Sequence, residues 1–523
     1  MNNKITLFSD KIEVLINGKK LINESNIVIN SKTKYFLMGN NGVGKTTLMN
    51  QLYEKIKNID ILMVEQDIII DYENQTIEDF ILHADIELYK KYTKMTELEQ
   101  LEELNDEQQE EYNLLSEFVC IKNWDKYVAK SYKILNGLGF KDIKMSVNLL
   151  SGGWRMRLAL GKAILYEPCI LFLDESNNHL DLNAGIWLMD YLGSYPNTLI
   201  MITHQIDFIN YLADCIWWVG NPECLGTKIY TIHGTYKNLL EFLKQTNKEV
   251  TQKYEKTQKK VIEMKKKACS KNEIEDFIIK ASCPRPQKEY NVNIKFENIN
   301  NRFGLKNIIE FRDIIFGYGD NIIFDNVDFN INLKSRYIIV GDNGVGKTTL
   351  FNLCKKQLDL LHGEIIIDSR INIAHYHQLT IDNMPLNLNS IEYLQSLNNK
   401  LSEDEARARL GKIGLKKIEN FDIPKNKISD LSGGQKARLG LCVVQLWNPE
   451  IILLDEPTNN LDVVSINALI DGINEYNGAV IIITHDTHLI ESIDNYELYQ
   501  ISNKKINKFN GMFEDYKNFI INM

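Results

Sequence analysis

The chain has 523 residues, 44% apolar and 25% charged, a balance that fits a globular protein of several domains and excludes a disordered or fibrous one. No apolar run approaches the roughly 18–20 residues that span a bilayer, and the opening MNNKITLFSD lacks the apolar core of a secretory signal, so a cytoplasmic protein is expected. The net charge of −10 requires any polyanion to be met by a local basic patch, and the eight scattered cysteines hold no C-x-x-C pair, which speaks against a zinc or iron–sulfur centre.

The first chemistry-bearing stretch is GNNGVGKTT, residues 39–47. A β-rich run, KYFLMG, enters it and an apolar helical pattern leaves it, the strand–loop–helix setting of a phosphate-binding loop. Gly39, Asn40, Asn41, Gly42, Val43 and Gly44 are expected to turn backbone N–H groups toward phosphate oxygens at a helix N-terminus, where the dipole also favours anions. Lys45 would reach the β and γ phosphates, Thr46 would ligate Mg²⁺, and Thr47 completes the motif. Gln66, in VEQD after another β-rich segment, is expected to bind Mg²⁺ and sense the γ phosphate, the alternative being an ordinary polar strand end.

Residues 85–118 carry 11 acidic and three basic side chains, with Leu88, Tyr92, Met95 and Leu98 at helical spacing. They predict a helical hairpin that turns near Asn105 and Asp106. Such an acidic arm favours a protein surface over RNA; a solvated acidic face is the plain alternative.

LSGGWRMRLALGKAIL follows at 150–165, presenting Ser151, Gly152 and Gly153 at a helix start. ILFLDESNNHLD is then an apolar central strand ending in Asp174, a water-mediated Mg²⁺ ligand, and Glu175, placed to polarise an attacking water. His204 ends the next buried strand, TLIMITH, and is expected at the γ phosphate, although a lone histidine there is more often structural.

From Lys244 to Lys288 there are 13 basic and six acidic residues. Val250, Tyr254, Thr257, Val261 and Met264 alternate by four and three as on a coiled-coil seam, which predicts helix to about Lys267. A second arm after Lys271 is expected to be short and to end at Pro284 and Pro286, which stop a helix. The lysines read as an RNA-facing patch or, more plainly, as the solubilising face of a helix.

The second half repeats the first in the same order. Its phosphate loop is GDNGVGKTT: Gly341, Asp342, Asn343, Gly344, Val345 and Gly346 form the cradle, followed by Lys347, Thr348 and Thr349. Tyr318, in FGYGD before it, is placed to stack on adenine, and Gln378 in HYHQ matches Gln66 in both its Mg²⁺ and γ-phosphate roles. LSGGQKARLGLCVVQL supplies Ser432, Gly433 and Gly434; IILLDEPTNNLD supplies Asp455, the metal carboxylate, and Glu456; AVIIITH supplies His485. Ser151 and Ser432 lie 281 positions apart whereas Lys45 and Lys347 lie 302 apart, so the first half holds 21 extra residues between loop and LSGG motif, where the acidic arm falls.

Phosphate loop, glutamine, LSGG signature, acidic strand and histidine in this order resemble the nucleotide-binding domain of the ATP-binding cassette superfamily. Tandem cassettes without a transmembrane domain, SGGWRMRLAL, DLNAGIWLMDYL and DEPTNNLD resemble more narrowly the ABC-F family of ribosome-associated ATPases, over nearly the whole chain. QKYEKTQKK, NEYNGAVIIITHD and FEDYKNFI look closest to its eukaryotic translation-initiation branch, whose long charged N-terminal extension is not matched by the 38 residues before Gly39.

The resemblance implies an α/β fold: a first cassette over 1–238, a helical basic linker over 239–292 and a second cassette over 293–523. It implies a monomer whose cassettes pair head to tail around two Mg-ATP, and hydrolysis of ATP on the ribosome. Site one would join Lys45, Glu175 and His204 to Ser432, Gly433 and Gly434; site two would join Lys347, Glu456 and His485 to Ser151, Gly152 and Gly153. The family's linker enters the ribosome near the peptidyl-tRNA site, which implies rRNA and tRNA as its contacts.

Two departures stand out. Ser176 and Asn177 replace the family's Pro-Thr pair beside Glu175, and Ile16 stands where the second half has Tyr318, so site one is expected to hold adenine less firmly. Readings of another class are a DNA-maintenance ATPase, which would ordinarily carry a zinc module or a far longer coiled coil; an energy-coupling transporter subunit, which leaves the basic linker unexplained; and a non-catalytic scaffold, against which Glu175 and Glu456 argue.

Overall fold

The computed structural model describes residues 5–16, 19–39, 42–64, 75–101, 103–177, 180–203, 205–223, 225–267, 277, 292–299, 307–418 and 421–521. Its contacts divide the chain into two compact units, one of residues 1–180 and 187–288, the other of 181–186 and 289–523.

The first unit is built on a six-stranded sheet ordered Ile61–Val64, Ile170–Asp174, Thr198–Ile202, Lys34–Gly39, Cys215–Gly220 and Lys228–His233. All neighbours are parallel except the last pair. The sequence dictates this arrangement: Ile170–Asp174 and Thr198–Ile202 are short runs buried on both faces, as central parallel strands must be. A hairpin of Thr6–Ile16 and Lys19–Asn30 supplies Ile12, Val14, Ile22, Ile27 and Ile29 to the same core as Leu37, Leu48 and Phe172. Side chains alternate in and out along those strands, which is the period of a half-buried sheet.

The second unit repeats the plan. Its six strands run Ile373–Tyr376, Ile451–Asp455, Ala479–Ile483, Arg336–Val340, Glu497–Ser502 and Lys505–Lys508, again parallel except at the last pair. Ile309–Tyr318, Asn321–Ile331 and His362–Ile367 form a separate antiparallel sheet whose Phe311, Phe324 and Phe329 share a core with Ile339 and Phe351. A further core under the LSGG helix holds Leu439, Leu441, Leu410 and Leu469. In both units the phosphate loop, the acidic residues and the histidine motif follow the carboxyl ends of adjacent parallel strands, where open α/β sheets bind their ligands.

The acidic arm is a hairpin of helices Ile86–Glu99 and Asp106–Lys122. Asn105 caps the second helix reciprocally with Gln108, so the predicted turn lies at a capping box. Leu88 and Leu98 are buried and Tyr92 and Met95 half-buried, as their spacing requires. The linker helix runs Tyr236–Lys266; the expected second arm after Lys271, with its prolines, lies outside the described residues. No described helix is long and apolar enough to cross a membrane.

Candidate functional site

In the second unit the helix Lys347–Cys354 starts from Gly346, whose φ of 110° a side-chain-bearing residue rarely adopts and whose added Cβ would stand 2.4 Å from Ile323 Cγ2. Gly344, at φ 80°, faces open space, so glycine is needed there for backbone conformation alone. Gly44 and Gly42 repeat both conditions in the first unit, with φ of 98° and 79°. Such glycine conformations let loop N–H groups turn toward an anion at a helix N-terminus.

Lys347 folds back over its loop, with Nζ 2.7 Å from the Gly341 carbonyl oxygen, 3.3 Å from that of Asp342 and 3.4 Å from Asn343 Oδ1. The Thr348 hydroxyl donates to Asp455 Oδ2 at 2.8 Å, joining the two predicted metal-side oxygens. His485 Nε2 lies 3.2 Å from Glu456 Oε1 and 3.5 Å from Lys347 Nζ, while the His485 amide donates to Glu456 Oε2 at 3.3 Å. The sequence separates Lys347 and Thr348 from Asp455, Glu456 and His485 by more than a hundred positions; the sheet brings all five together.

Burial dominates the electrostatics. It pushes the Lys347 ammonium below its ordinary range, opposed chiefly by Glu456, and pushes Glu456 upward, opposed chiefly by Lys347. Asp455 is likewise raised by burial, against its bond from Thr348. A buried cation beside hard oxygen donors and an N–H cradle suits a Mg-triphosphate, which brings both the anion and the cation that these groups complement.

The first unit repeats part of this arrangement. Lys45 is buried, donates to the Gly39 carbonyl oxygen at 3.0 Å, and is lowered by burial against the charges of Glu175 and Asp174. Glu175 and Glu456 share an unexpected feature: both have positive φ, 47° and 49°, and both donate their N–H to the neighbouring strand, at Ile202 and Ile483. Left-handed backbone at a non-glycine residue costs about 1–3 kcal/mol and collects at functional positions. Asn40, Asn41, Gln66, His204 and the Gln378 side chain lie outside the described residues; Gln378 itself opens the helix Gln378–Asp382 after a buried strand.

The signatures sit at helix starts, Gly152–Tyr166 and Gly433–Leu446. The two differ in a way that the sequence reading passed over. Ser432 and Gln435 form a reciprocal capping box, whereas Trp154 occupies the matching position in the first unit and Ser151 makes no side-chain cap. Trp154 instead packs edge-on to Phe140 and under the Arg157 guanidinium. The S-x-x-Q spacing was the signal that distinguishes them. Tyr318 is half exposed, edge-on to Phe316, with its hydroxyl 3.4 Å from Thr349 Oγ1 at the loop.

The sequence model of the ABC transporter family matches residues 22–178 and 324–459, more than half of the chain. ABC transporter F family member 4 of Arabidopsis thaliana is 31% identical over 97% of this chain and 75% of its own length. The chain belongs to the ABC transporter F family. Protein GCN20 of Saccharomyces cerevisiae is 28% identical over 96% of the chain and 70% of its own length. Among solved structures, RNase-L Inhibitor superposes with a TM-score of 0.58 at 18% identity, covering 94% of this chain and 89% of the other; an archaeal ribosome recycling factor bound to stalk protein aP1 superposes equally well at 17%, over 93% and 88%. These two likenesses concern the fold. As an ATP-binding cassette protein of the F family, the chain is an ATPase whose two cassette regions bind ATP.

Proposed function

We propose that the chain binds two Mg-ATP, each held between the phosphate loop of one cassette and the signature of the other, closes on the ribosome in the cytoplasm in that state, and leaves after hydrolysis. Its working parts are a first cassette over 1–238, a linker over 239–292 and a second cassette over 293–523. The observation that carries the reading is the convergence of Lys347, Thr348, Asp455, Glu456 and His485 on one loop in the second unit. The matching Lys45, Asp174 and Glu175 of the first support it.

In this reading Lys347 and the loop amides bind and orient the β and γ phosphates. Thr348, Asp455 and Gln378 would hold Mg²⁺, which when bound would supply positive charge against that developing on the phosphates. Glu456, fixed by its strand and by the His485 amide, positions the water and receives its proton; His485 holds the carboxylate and faces the γ phosphate. Lys45, Thr46, Asp174, Gln66, Glu175 and His204 take these roles at site one. Ser432, Gly433 and Gly434, or Ser151, Gly152 and Gly153, close each site with N–H groups at a helix start.

The ribosome reading is supported by family membership and by solved proteins of the same fold, one bound to the ribosome and one in complex with a ribosomal stalk protein. The experiment is sedimentation of the Glu175→Gln, Glu456→Gln double variant with ribosomes and ATP. Turnover is expected to fall at least about a hundredfold, because water-positioning is lost while phosphate contacts remain, and the variant should accumulate on ribosomes. Unchanged turnover would remove these glutamates from the mechanism; slow turnover without co-sedimentation would remove the ribosome.

A further inference from the structure

The two units differ, in step, at two loops that touch. Two residues after the acidic glutamate the second unit has Thr458, and directly after the histidine it has Asp486; the first unit has Asn177 and Gln205. In the second unit Thr458 stands near Asp486, whose Oδ1 caps the following helix by accepting from the Leu489 amide at 3.1 Å. In the first, Asn177 is 1% exposed, and its Nδ2 donates to Thr203 Oγ1 at 2.9 Å and to Gln205 Oε1 at 2.7 Å. Gln205 makes no side-chain cap to its helix.

We propose that Asn177 and Gln205 are positioning residues of site one, a neutral amide latch that stands where site two has Thr458 and Asp486 and holds the loop that carries Glu175. The proposal rests on the reading of Glu175 as the water-positioning carboxylate. Three observations carry it. Both protons of the buried Asn177 amide are committed across the gap between the two loops, as a buried donor requires. Glu175 keeps the same left-handed backbone as Glu456 although the Pro-Thr pair after it is gone, so something else must hold the far side of that strained residue. And the Gln205 amide donates to Thr203 Oγ1 at 3.1 Å just as that of Asp486 does to Thr484, so the backbone frame is common and the residue pair has changed together at both positions. The exchange also removes a half-buried carboxylate that acts on the glutamate and gives up a helix cap.

The test is single-turnover ATP hydrolysis, protein in excess, in a chain carrying Glu456→Gln so that cleavage reports site one. Asn177→Ala and Gln205→Ala are each expected to slow the saturated rate about tenfold while leaving the half-saturating concentration within about twofold, and the double alanine variant to be no slower than the worse single one, as for two halves of one interaction. The exchange Asn177→Thr, Gln205→Asp should restore the rate to within about threefold. Thermal midpoints and nucleotide retention identify any variant that fails to fold, and the exchange variant then decides. Additive losses, alanine variants at the parental rate, or a folded exchange variant that stays as slow as the alanines overturns the latch, provided that Glu175→Gln in the same background abolishes cleavage. If Glu175→Gln cleaves normally, the reading of site one fails instead and takes the latch with it.

Discussion

Tyr318 and Ile16 put a difference of one aromatic ring between the two halves, and the ring sits beside Thr349 of its phosphate loop with half of its surface free. Stacking of a base on such a ring is worth about 1–3 kcal/mol. Nucleotide titration of Lys45→Ala, which spares site two, should therefore give an affinity about fivefold or more above that of Lys347→Ala; equal values would deny the ring a role. A second residue acts on stability. His375 has Nδ1 2.8 Å from Lys355 Nζ, its Nε2 is buried without a partner among the described residues, and burial, helped by Lys355 and His377, depresses its pKa to about 3. An unfolded histidine titrates near 6.5, so the unfolded chain binds the extra proton as pH falls below that value and stability is lost toward pH 3. Between pH 6.5 and 5, before most carboxylates titrate, the loss is up to about 2 kcal/mol. Urea unfolding across that window should show it, and His375→Asn should remove it; a parent curve flat from 6.5 to 5 would contradict the assignment. Residues like Lys45 and Glu456 were legible in the sequence because phosphate chemistry fixes their type and spacing. His375 with Lys355, or Asn177 with Gln205, was not, because each pair comes from segments that only the fold brings together, and the positive φ of Glu175 and Glu456 leaves no mark in residue type.

At the scale of elements, capping decides how alike the two signature helices are. Ser432 and Gln435 satisfy one another's backbone N–H groups, leaving Gly433 and Gly434 as the donors that face outward from the helix start. Gln435→Ala should cost about 1 kcal/mol in the stability of the second unit through loss of the box, measured by chemical unfolding. Trp154→Ala at the matching position has no box to break and acts through Phe140 and Arg157 instead. If Gln435→Ala leaves stability unchanged, the helix start is held by something other than its cap. The arm shows what periodicity gives and what it omits. Its helices and turn were readable from apolar spacing and from Asn105, but its base was not. There Trp124 stacks on Tyr92 at 3.9 Å, and the Tyr127 hydroxyl accepts from the Asp85 amide while donating to the Leu82 carbonyl oxygen. Aromatic side chains at the hinge of an insertion look, in sequence, like any other core residues.

For the whole molecule the question is whether an acidic chain meets RNA, and the linker helix is where that is tested. Its apolar stripe of Val250, Tyr254, Thr257, Val261 and Met264 is the less exposed side, with Val261 buried. Lys256, Lys259, Lys260, Lys265, Lys266 and Lys267 are all exposed, a local cationic face on a chain of net charge −10. If that face meets RNA phosphates, each contact releases condensed counterions, and the slope of log affinity against log salt steepens by about 0.7–0.9 per contact. Changing all six lysines to glutamine keeps helix propensity nearly constant and removes the charge. Ribosome binding should then weaken and its salt slope flatten, while basal ATP hydrolysis, carried by residues of the two cassettes, continues. A solubilising face predicts the opposite pattern, with neither affinity nor slope altered, because exposed lysines without a partner lose nothing when neutralised. A six-site variant that sediments with ribosomes as the parent does, at every salt concentration, would take the linker out of the mechanism and move the search for the contact to the arm, whose acidic surface favours a protein partner over RNA and a much shallower salt dependence.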